Sequence, residues 1–591
     1  VPVADIRARR DALGLHPGFA MVDTSAAEFA AETPYFYSTY AAAGSPPEAP
    51  PVDRPASVVI GSGPVRIGQG IEFDYCAVQA ADALRRLGRS AIMVNSNPET
   101  VSTDFDASTR LYFESLDAES VAEVFRAEAV DGVPPDAFIQ FGGQTPLGLA
   151  GAVAATGAEL RGLSLEAIDQ TEERMRFAGL VERLGIPQPN GGMAASVEEA
   201  FVVAERVGYP VIVRPSFVIG GLAIGFAYGP EDLARIVTRA ADVDHDRPVR
   251  IDAYLEGVEL DVDALTDGVD VLIPGLIEHV ERAGVHSGDS IGIYPPQRIS
   301  AADQALVVDA ITRVARAVGV RGLINGQFIV REDGVYLLEV NPRASRTVPF
   351  ISKVTGVPMV ELATRIALGE SLASLGWTRG LMAPRSLVAV KAPVFSTTKL
   401  RGVDPTLGPA MQSTGEVIGL HTDPHVAMAK ALAAAALRPP LPGEGGALAL
   451  LSIADRDKEW LADLACKLAS VGYRLCATPG TARALRALGH EVEQVARLGE
   501  DGAGGRSVLE AIASGEVLLV VNTPSPESRP IRDAGAIRMA AINEGILCLT
   551  SIDTAVAVAA ALDPAIAEQM DDVRPLGEWL GTRPIQALLP S

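Results

Sequence analysis

A multidomain α/β protein is predicted by three features of the chain. Between residues 57 and 140, short apolar strands alternate with helical stretches, as in a parallel, doubly wound sheet. Between 324 and 343, two strands flank an acidic turn, and their polar and apolar residues alternate as in a hairpin. Beyond residue 446, strand and helix alternate again in a last domain. A length of 591 residues suggests roughly four domains at about 150 residues each. With 48% apolar residues there is material for several buried cores.

In chain order, the first linker is the proline-rich stretch 43–51, unsuited to helix or central strand. Just beyond it, Ser57-Val58-Val59-Ile60 forms a strand running into the glycine-rich stretch 61–70, with a helix at 75–87. Glycines there suit either a phosphate loop or a tight βα turn. Strands at 91–95 and 137–140 extend this sheet to about residue 170. The next domain opens with a helix at 172–184 and a strand at 211–215, followed by a glycine-bearing loop. There Gly220 and Gly221 offer bare N–H groups and Arg214 a cationic fork, suiting a flap over a triphosphate or a plain hairpin loop. His286, among small residues at 284–290, is by itself more naturally structural than catalytic.

The strand 336–343 carries the densest chemistry. Alternation puts Glu339, Asn341 and Arg343 on one face, and Leu338 and Val340 on the other. Upstream, 324–330 reads as its partner, and a three-residue loop would set Gln327 opposite Glu339. Two amides and a carboxylate would then converge as oxygen ligands for a hard cation, with positions left open for phosphates. A two-residue turn would instead shift the register by one and separate Gln327 from Glu339. An ordinary amphipathic hairpin with an exposed polar face is the plainer reading of the segment.

A net charge of −24 argues against a nucleic-acid or anionic-membrane surface. Cys76, Cys466, Cys476 and Cys548 lack metal or disulfide spacing and read as reduced thiols. No apolar run reaches the roughly 20 residues that span a bilayer, and no signal-peptide core opens the chain, so a cytoplasmic location is expected.

Six ordered motifs resemble the carboxyl-terminal synthetase half of the carbamoyl-phosphate synthetase large subunit. They are Gly68-Gln69-Gly70-Ile71-Glu72-Phe73-Asp74-Tyr75-Cys76, Asn97-Pro98-Glu99-Thr100-Val101-Ser102-Thr103-Asp104, Gly142-Gly143-Gln144-Thr145-Pro146, Arg214-Pro215-Ser216, 284–290 and Glu339-Val340-Asn341-Pro342-Arg343. The resemblance implies an α/β multidomain chain. A remnant of an oligomerisation domain and linker occupies 1–50, a Rossmann-like pre-ATP-grasp domain 51–170 and an α+β ATP-grasp domain 171–375. A closing segment follows at 376–445, then a methylglyoxal-synthase-like allosteric domain at 446–575 and a tail at 576–591. It also implies a ligase that phosphorylates carbamate to carbamoyl phosphate with ATP and Mg²⁺ or Mn²⁺, in pyrimidine and arginine biosynthesis. Carried over, ATP contacts fall on Arg174, Arg214, Gly220, Gly221, Leu255, Glu259, Gly284, Val285, His286, Ser287, Gln327 and Glu339. Metal ligands fall on Gln327, Glu339 and Asn341, and catalytic roles on Arg343, Arg214 and Asn341.

The family's homologous first synthetase half has no counterpart here, so one ATP site is expected instead of two. That half and a glutaminase small subunit are the implied partners, in an oligomer. A separate polypeptide could supply the first half, or the chain is a fragment; an opening at Val1 inside a recognisable domain favours a fragment or misplaced start. In the last domain, the strand into helix at 474–482 makes a phosphate pocket by the helix-terminus rule, with a simple capped helix as the plainer reading. Lys458, Thr478, Thr481, Arg497, Asn522 and Thr523 are the expected contacts for a nucleotide monophosphate effector. Of the family's ornithine contacts, Glu281, Asp289 and Thr550 match, while Ala392 replaces a glutamate and Cys548 a tyrosine, predicting weak or absent ornithine activation. Two rivals are a non-catalytic nucleotide-binding half-subunit and another ATP-grasp carboxylase or ligase.

Overall fold

In the computed structural model, the described residues are 2–23, 28, 33–42, 48, 50–66, 70–215, 224–243, 248–396, 404–443, 446–498, 506–524 and 531–581. Gly68 and Gln69 of the first glycine loop, and the flap residues Gly220 and Gly221, lie outside them.

Four sheets organise the chain. The first is six-stranded, in the order Gly18–Met21, Tyr35–Thr39, Arg110–Phe113, Ser90–Asn95, Ala56–Ile60, Asp136–Phe138. Its last five strands are parallel, and the central Ala56–Ile60 is buried throughout, as a strand covered on both faces must be. The helix Glu72–Arg86 follows the first glycine loop. Tyr35–Thr39 pairs with Arg110–Phe113, so strands from before residue 50 join the sheet of the following segment.

The second sheet is antiparallel and four-stranded, in the order Gly191–Ala194, Val249–Ala253, Val211–Pro215, Gly225–Ala227. It packs under the helices Val197–Val207 and Pro230–Val243 around its own small core of Val203, Val211, Val213, Leu233, Val237 and Ile251. That core is separate from the larger ones around the other sheets.

The third sheet has nine strands. Its main path runs Gly334–Asn341, Gly322–Arg331, Val258–Thr266, Leu276–Arg282, Gly292–Tyr294, Val388–Val394, Gly415–His421. The stretch 376–445 is therefore partly sheet: two of its strands extend the ladder, and its helix Pro424–Ala434 joins a core shared with the last domain. That domain carries a parallel five-stranded sheet, Val492–Gln494, Arg474–Ala477, Leu448–Ser452, Val517–Asn522, Leu547–Leu549. No helix among the described residues is long and apolar enough to cross a membrane.

Candidate active site

The hairpin of Gly322–Arg331 and Gly334–Asn341 supplies the oxygen ligands. Gln327 stands opposite Glu339, and Asn325 opposite Asn341. The route to that register differs from expectation. Arg331 pairs with Gly334, so the turn holds two residues and not three. A β-bulge between Gln327 and Phe328 adds one residue to the second strand and returns Glu339 to Gln327. The extra residue is Leu338, only half-buried, while Leu337 takes the fully buried position expected for it.

The neighbouring strand Val258–Thr266 sets Asp261 opposite Gln327 and Asp263 opposite Asn325. Both carboxylates are buried. His279 bridges two carboxylates of this strand, with Nδ1 3.3 Å from Glu259 and Nε2 3.0 Å from Asp261. Burial opposes a charge on this imidazole, but Asp261 and Glu259 outweigh it and lift the pKa to about 9. Burial pushes the Asp263 carboxyl up to about 6, although Ser345, Thr347 and Asn325 all donate to it. Sequence reasoning missed Asp261, Asp263, His279 and Asn325. The signal was present in Glu259-Leu260-Asp261-Val262-Asp263, where strand alternation puts three carboxylates on one face.

Three guanidinium groups gather here, two of them on strands of the four-stranded lobe and the third, Arg174, on the helix that precedes it. Arg214 pairs across the sheet with Arg250. Arg250 donates to Asp252 at 2.7 Å, and the Arg214 Nε lies 3.7 Å from the same carboxylate. Arg174 has a buried Nε without a hydrogen-bond partner among the described residues. Burial lowers its pKa; Arg214 and Arg250 repel it, while Glu339 and Asp252 attract it. Three arginines against so few carboxylates favour a polyanion. Arg250 was not among the predicted contacts, though Arg250-Ile251-Asp252 alternates like its neighbours. The helix expected at 172–184 runs from Arg174 to Arg183: Glu173, with ψ 112°, separates it from the preceding helix Leu165–Glu172 and puts Arg174 at the helix start.

The loop 284–290 closes the cleft. Gly284 donates to Glu259 Oε1 at 3.1 Å with φ +103°, and a Cβ there would come within 2.5 Å of the Phe226 ring. Glu259 thus holds both this loop and His279. The His286 N–H donates to the Gly408 carbonyl at 2.8 Å, and its Nδ1 accepts from the Gly288 N–H at 3.0 Å. Burial lowers its pKa, in keeping with a ring whose Nδ1 accepts. Ser287 accepts from Gln327 Nε2 at 2.9 Å, and its carbonyl from Lys391 at 3.1 Å. Val285 and Leu255 are half-buried, the latter in the link joining the two sheets. Arg343 donates to Asn341 Oδ1 at 3.3 Å, to the Ala344 carbonyl at 2.9 Å and to Gln144 at 3.3 Å.

In the last domain, Lys458 and Arg497 converge: a Cβ on Gly480 would lie 3.7 Å from one cationic tip and 3.8 Å from the other. Thr481 and Thr523 accept from Ile453 and Ala454 backbone N–H groups, Thr478 donates to Ser452, and Asn522 accepts from Arg538. A 3₁₀ turn, Asp455–Trp460, which carries Lys458, leads into the helix Leu461–Ser470.

A four-stranded lobe facing a large, mainly antiparallel sheet, with arginines on one side and oxygen ligands on the other, defines an ATP-grasp protein. Three family models match: the carbamoyl phosphate synthase preATP-grasp domain over 53–170, the carbamoyl-phosphate synthase L chain ATP binding domain over 173–375, and an MGS-like domain over 460–550. The chain belongs to the carbamoyl phosphate synthase large-chain family. It is 54% identical over 562 residues to the carbamoyl phosphate synthase large chain of Thermomicrobium roseum, covering 94% of this chain. It spans about half, 51%, of that relative's length. Two solved structures share the fold over 64% of the chain. They are the biotin carboxylase of Campylobacter jejuni (TM-score 0.50, 17% identity, 90% of that chain) and the biotin carboxylase domain of Hydrogenobacter thermophilus 2-oxoglutarate carboxylase (0.51, 19%, 89%).

Proposed function

We propose that the chain phosphorylates carbamate to carbamoyl phosphate, as the second synthetase half of a carbamoyl-phosphate synthetase. The observation that carries this is the meeting of Gln327, Glu339, Asn341 and Arg343 with the Arg174, Arg214 and Arg250 group across one cleft, in a chain of this family. A carbamate oxygen attacks the γ-phosphorus in line, the bond to the β–γ bridging oxygen breaks, and ADP leaves. Arg343 and Arg214 neutralise charge developing on the transferred group, and Asn341 holds Arg343 in place.

The donor chemistry fits a magnesium ion, or manganese. The Gln327 amide nitrogen is engaged by Ser287, which leaves its carbonyl oxygen as the ligand atom beside Glu339 and Asn341. An all-oxygen set of this size suits a hard cation that keeps further positions for phosphates. Bound there, the ion would neutralise β- and γ-phosphate oxygens. The protein's own part is to orient the nucleotide, exclude water from a labile carbamate and hold the arginines.

The domain division is read as pre-ATP-grasp at 51–170, ATP-grasp at 171–375 with its closing segment at 376–445, and allosteric domain at 446–575. A nucleotide monophosphate at Lys458 and Arg497 is the proposed effector. A homologous first synthetase half and a glutaminase small subunit are the proposed partners. Ornithine activation is expected to be weak: Glu281 accepts from Thr554 and the Ile291 N–H, Asp289 from the Gln412 and Ser413 N–H groups, and Thr550 from the Leu407 N–H. The matching polar groups are thus engaged within the protein.

The test is ATP formation from carbamoyl phosphate and MgADP by the purified chain. Glu339→Gln is expected to lower this rate by about a hundredfold or more while the protein still folds. Wild-type turnover that survives the substitution would remove Glu339 from the mechanism.

A further inference from the structure

The six-stranded domain reaches into the phosphoryl-transfer site through one side chain. Gln144 opens the short helix Gln144–Gly148 at the carboxyl end of the parallel strand Asp136–Phe138. Such ends are where open α/β sheets present groups to a ligand crevice. Two glycines bring it there. Gly142 passes so close to the Ile60 and Gly61 carbonyl oxygens that a Cβ would lie 2.6 Å from each, and Gly143 has φ +74° with the Phe73 ring 3.1 Å from where its Cβ would stand.

Gln144 then meets Arg343, 199 positions along the chain: its Oε1 accepts from the arginine Nε at 3.3 Å. Its Nε2 donates to Glu172 Oε2 at 2.6 Å. A carboxylate only accepts and a guanidinium only donates, so these two charges allow the amide one orientation. The Phe73 ring lies beneath the guanidinium, 5.7 Å from Cζ to centroid. Asn341 and the Ala344 carbonyl take the two remaining nitrogens. Burial works against the Arg343 charge, while Glu172, Glu339 and Asp263 support it.

We propose that Gln144 is a positioning residue for Arg343: between Glu172 and the Arg343 Nε–H it fixes the plane of the guanidinium, making the pre-ATP-grasp domain a wall of the transfer site. This rests on the proposed phosphorylation of carbamate, since it assigns Arg343 to the transferred group. Gln144 does not act on the nucleotide, and its loss affects the chemical step more than binding.

Gln144→Met keeps the side-chain length and removes both hydrogen bonds. In ATP formation from carbamoyl phosphate and MgADP, kcat is expected to fall about tenfold or more, with the KM for MgADP within about twofold and the melting temperature unchanged. In an Arg343→Ala background the same substitution adds no further loss, because its effect passes through the missing guanidinium. A second readout is independent of turnover. Modification of Arg343 by phenylglyoxal, followed by peptide mass spectrometry, is expected to run about fivefold faster in Gln144→Met, with Arg214 and Arg174 unaffected. Unchanged kcat, an equal loss in both backgrounds, or unchanged Arg343 labelling overturns the proposal. An inactive wild type whose Arg343 labelling still responds to Gln144→Met would overturn the assigned reaction and leave the positioning role standing.

Discussion

Arg250 shows how much a single side chain decides. It faces Arg214 across two antiparallel strands and shares Asp252 with it, so the pair keeps an excess of positive charge aimed at the cleft. Arg250→Ala is expected to weaken MgATP binding by about tenfold, measured by titration calorimetry, with little effect on folding because its strand is held by its backbone ladder. A variant that binds MgATP as tightly as wild type would assign Arg250 to Asp252 alone. Glycine at 284 is as constrained as any charged residue. Its φ of +103° and the Phe226 ring, 2.5 Å from where a methyl would stand, leave no room for alanine. Gly284→Ala is expected to cost about 1–3 kcal/mol of stability and to pull the loop from Glu259, seen as a lower melting temperature and weaker nucleotide binding.

At the scale of elements, the bulge at Leu338 is the instructive feature. Period-two alternation correctly put Glu339 and Asn341 on one face and Val340 in the core, and correctly paired Gln327 with Glu339. The assumed turn was one residue too long, and the bulge compensates for the difference. Turn length and bulges depend on how a hairpin twists against its neighbours, which local sequence does not report. Deletion of Leu338 is expected to leave Gln327 opposite Glu339 and retain Mn²⁺ binding to the nucleotide complex within about threefold. Deletion of Val340 turns Asn341 to the core face and abolishes that binding. Paramagnetic resonance of bound Mn²⁺ distinguishes the two. The helix expected at 172–184 is present at Arg174–Arg183, and the Glu173 side chain caps its start.

For the whole molecule, the last domain is tied to the ATP-grasp sheet by charges as well as a shared core. Arg282 reaches Asp457 at 3.1 Å and Asp553 at 3.4 Å, and beside it buried Glu281 accepts from Thr554. Burial raises the Glu281 pKa from the usual 4.5 to about 7, against hydrogen bonds from Thr554 and Ile291 and with Asp553 adding to the rise. An acid whose folded pKa is raised contributes stability that is fully present below its unfolded pKa and lost as pH rises through the folded one. Glu281 therefore contributes fully below pH 4.5, and its contribution of about 3 kcal/mol fades as pH climbs through about 7. Thermal midpoints of wild type are expected to decline across that window, and Glu281→Gln to flatten the decline; a slope that persists in the variant excludes Glu281 as its source. The sequence by itself determined the α/β architecture, the order of its glycine, arginine and carboxylate motifs, and the shared face of Glu339 and Asn341, because periodicity and motif spacing are local properties of the chain. Only the tertiary structure decided that Arg250 joins Arg214, that Asp261 and Asp263 lie beside Gln327 and Asn325, that strands before residue 50 enter the first sheet, and that Gln144 holds Arg343. Those depend on strand order, on bulges and on packing between segments up to 199 residues apart, and no window of local sequence contains them.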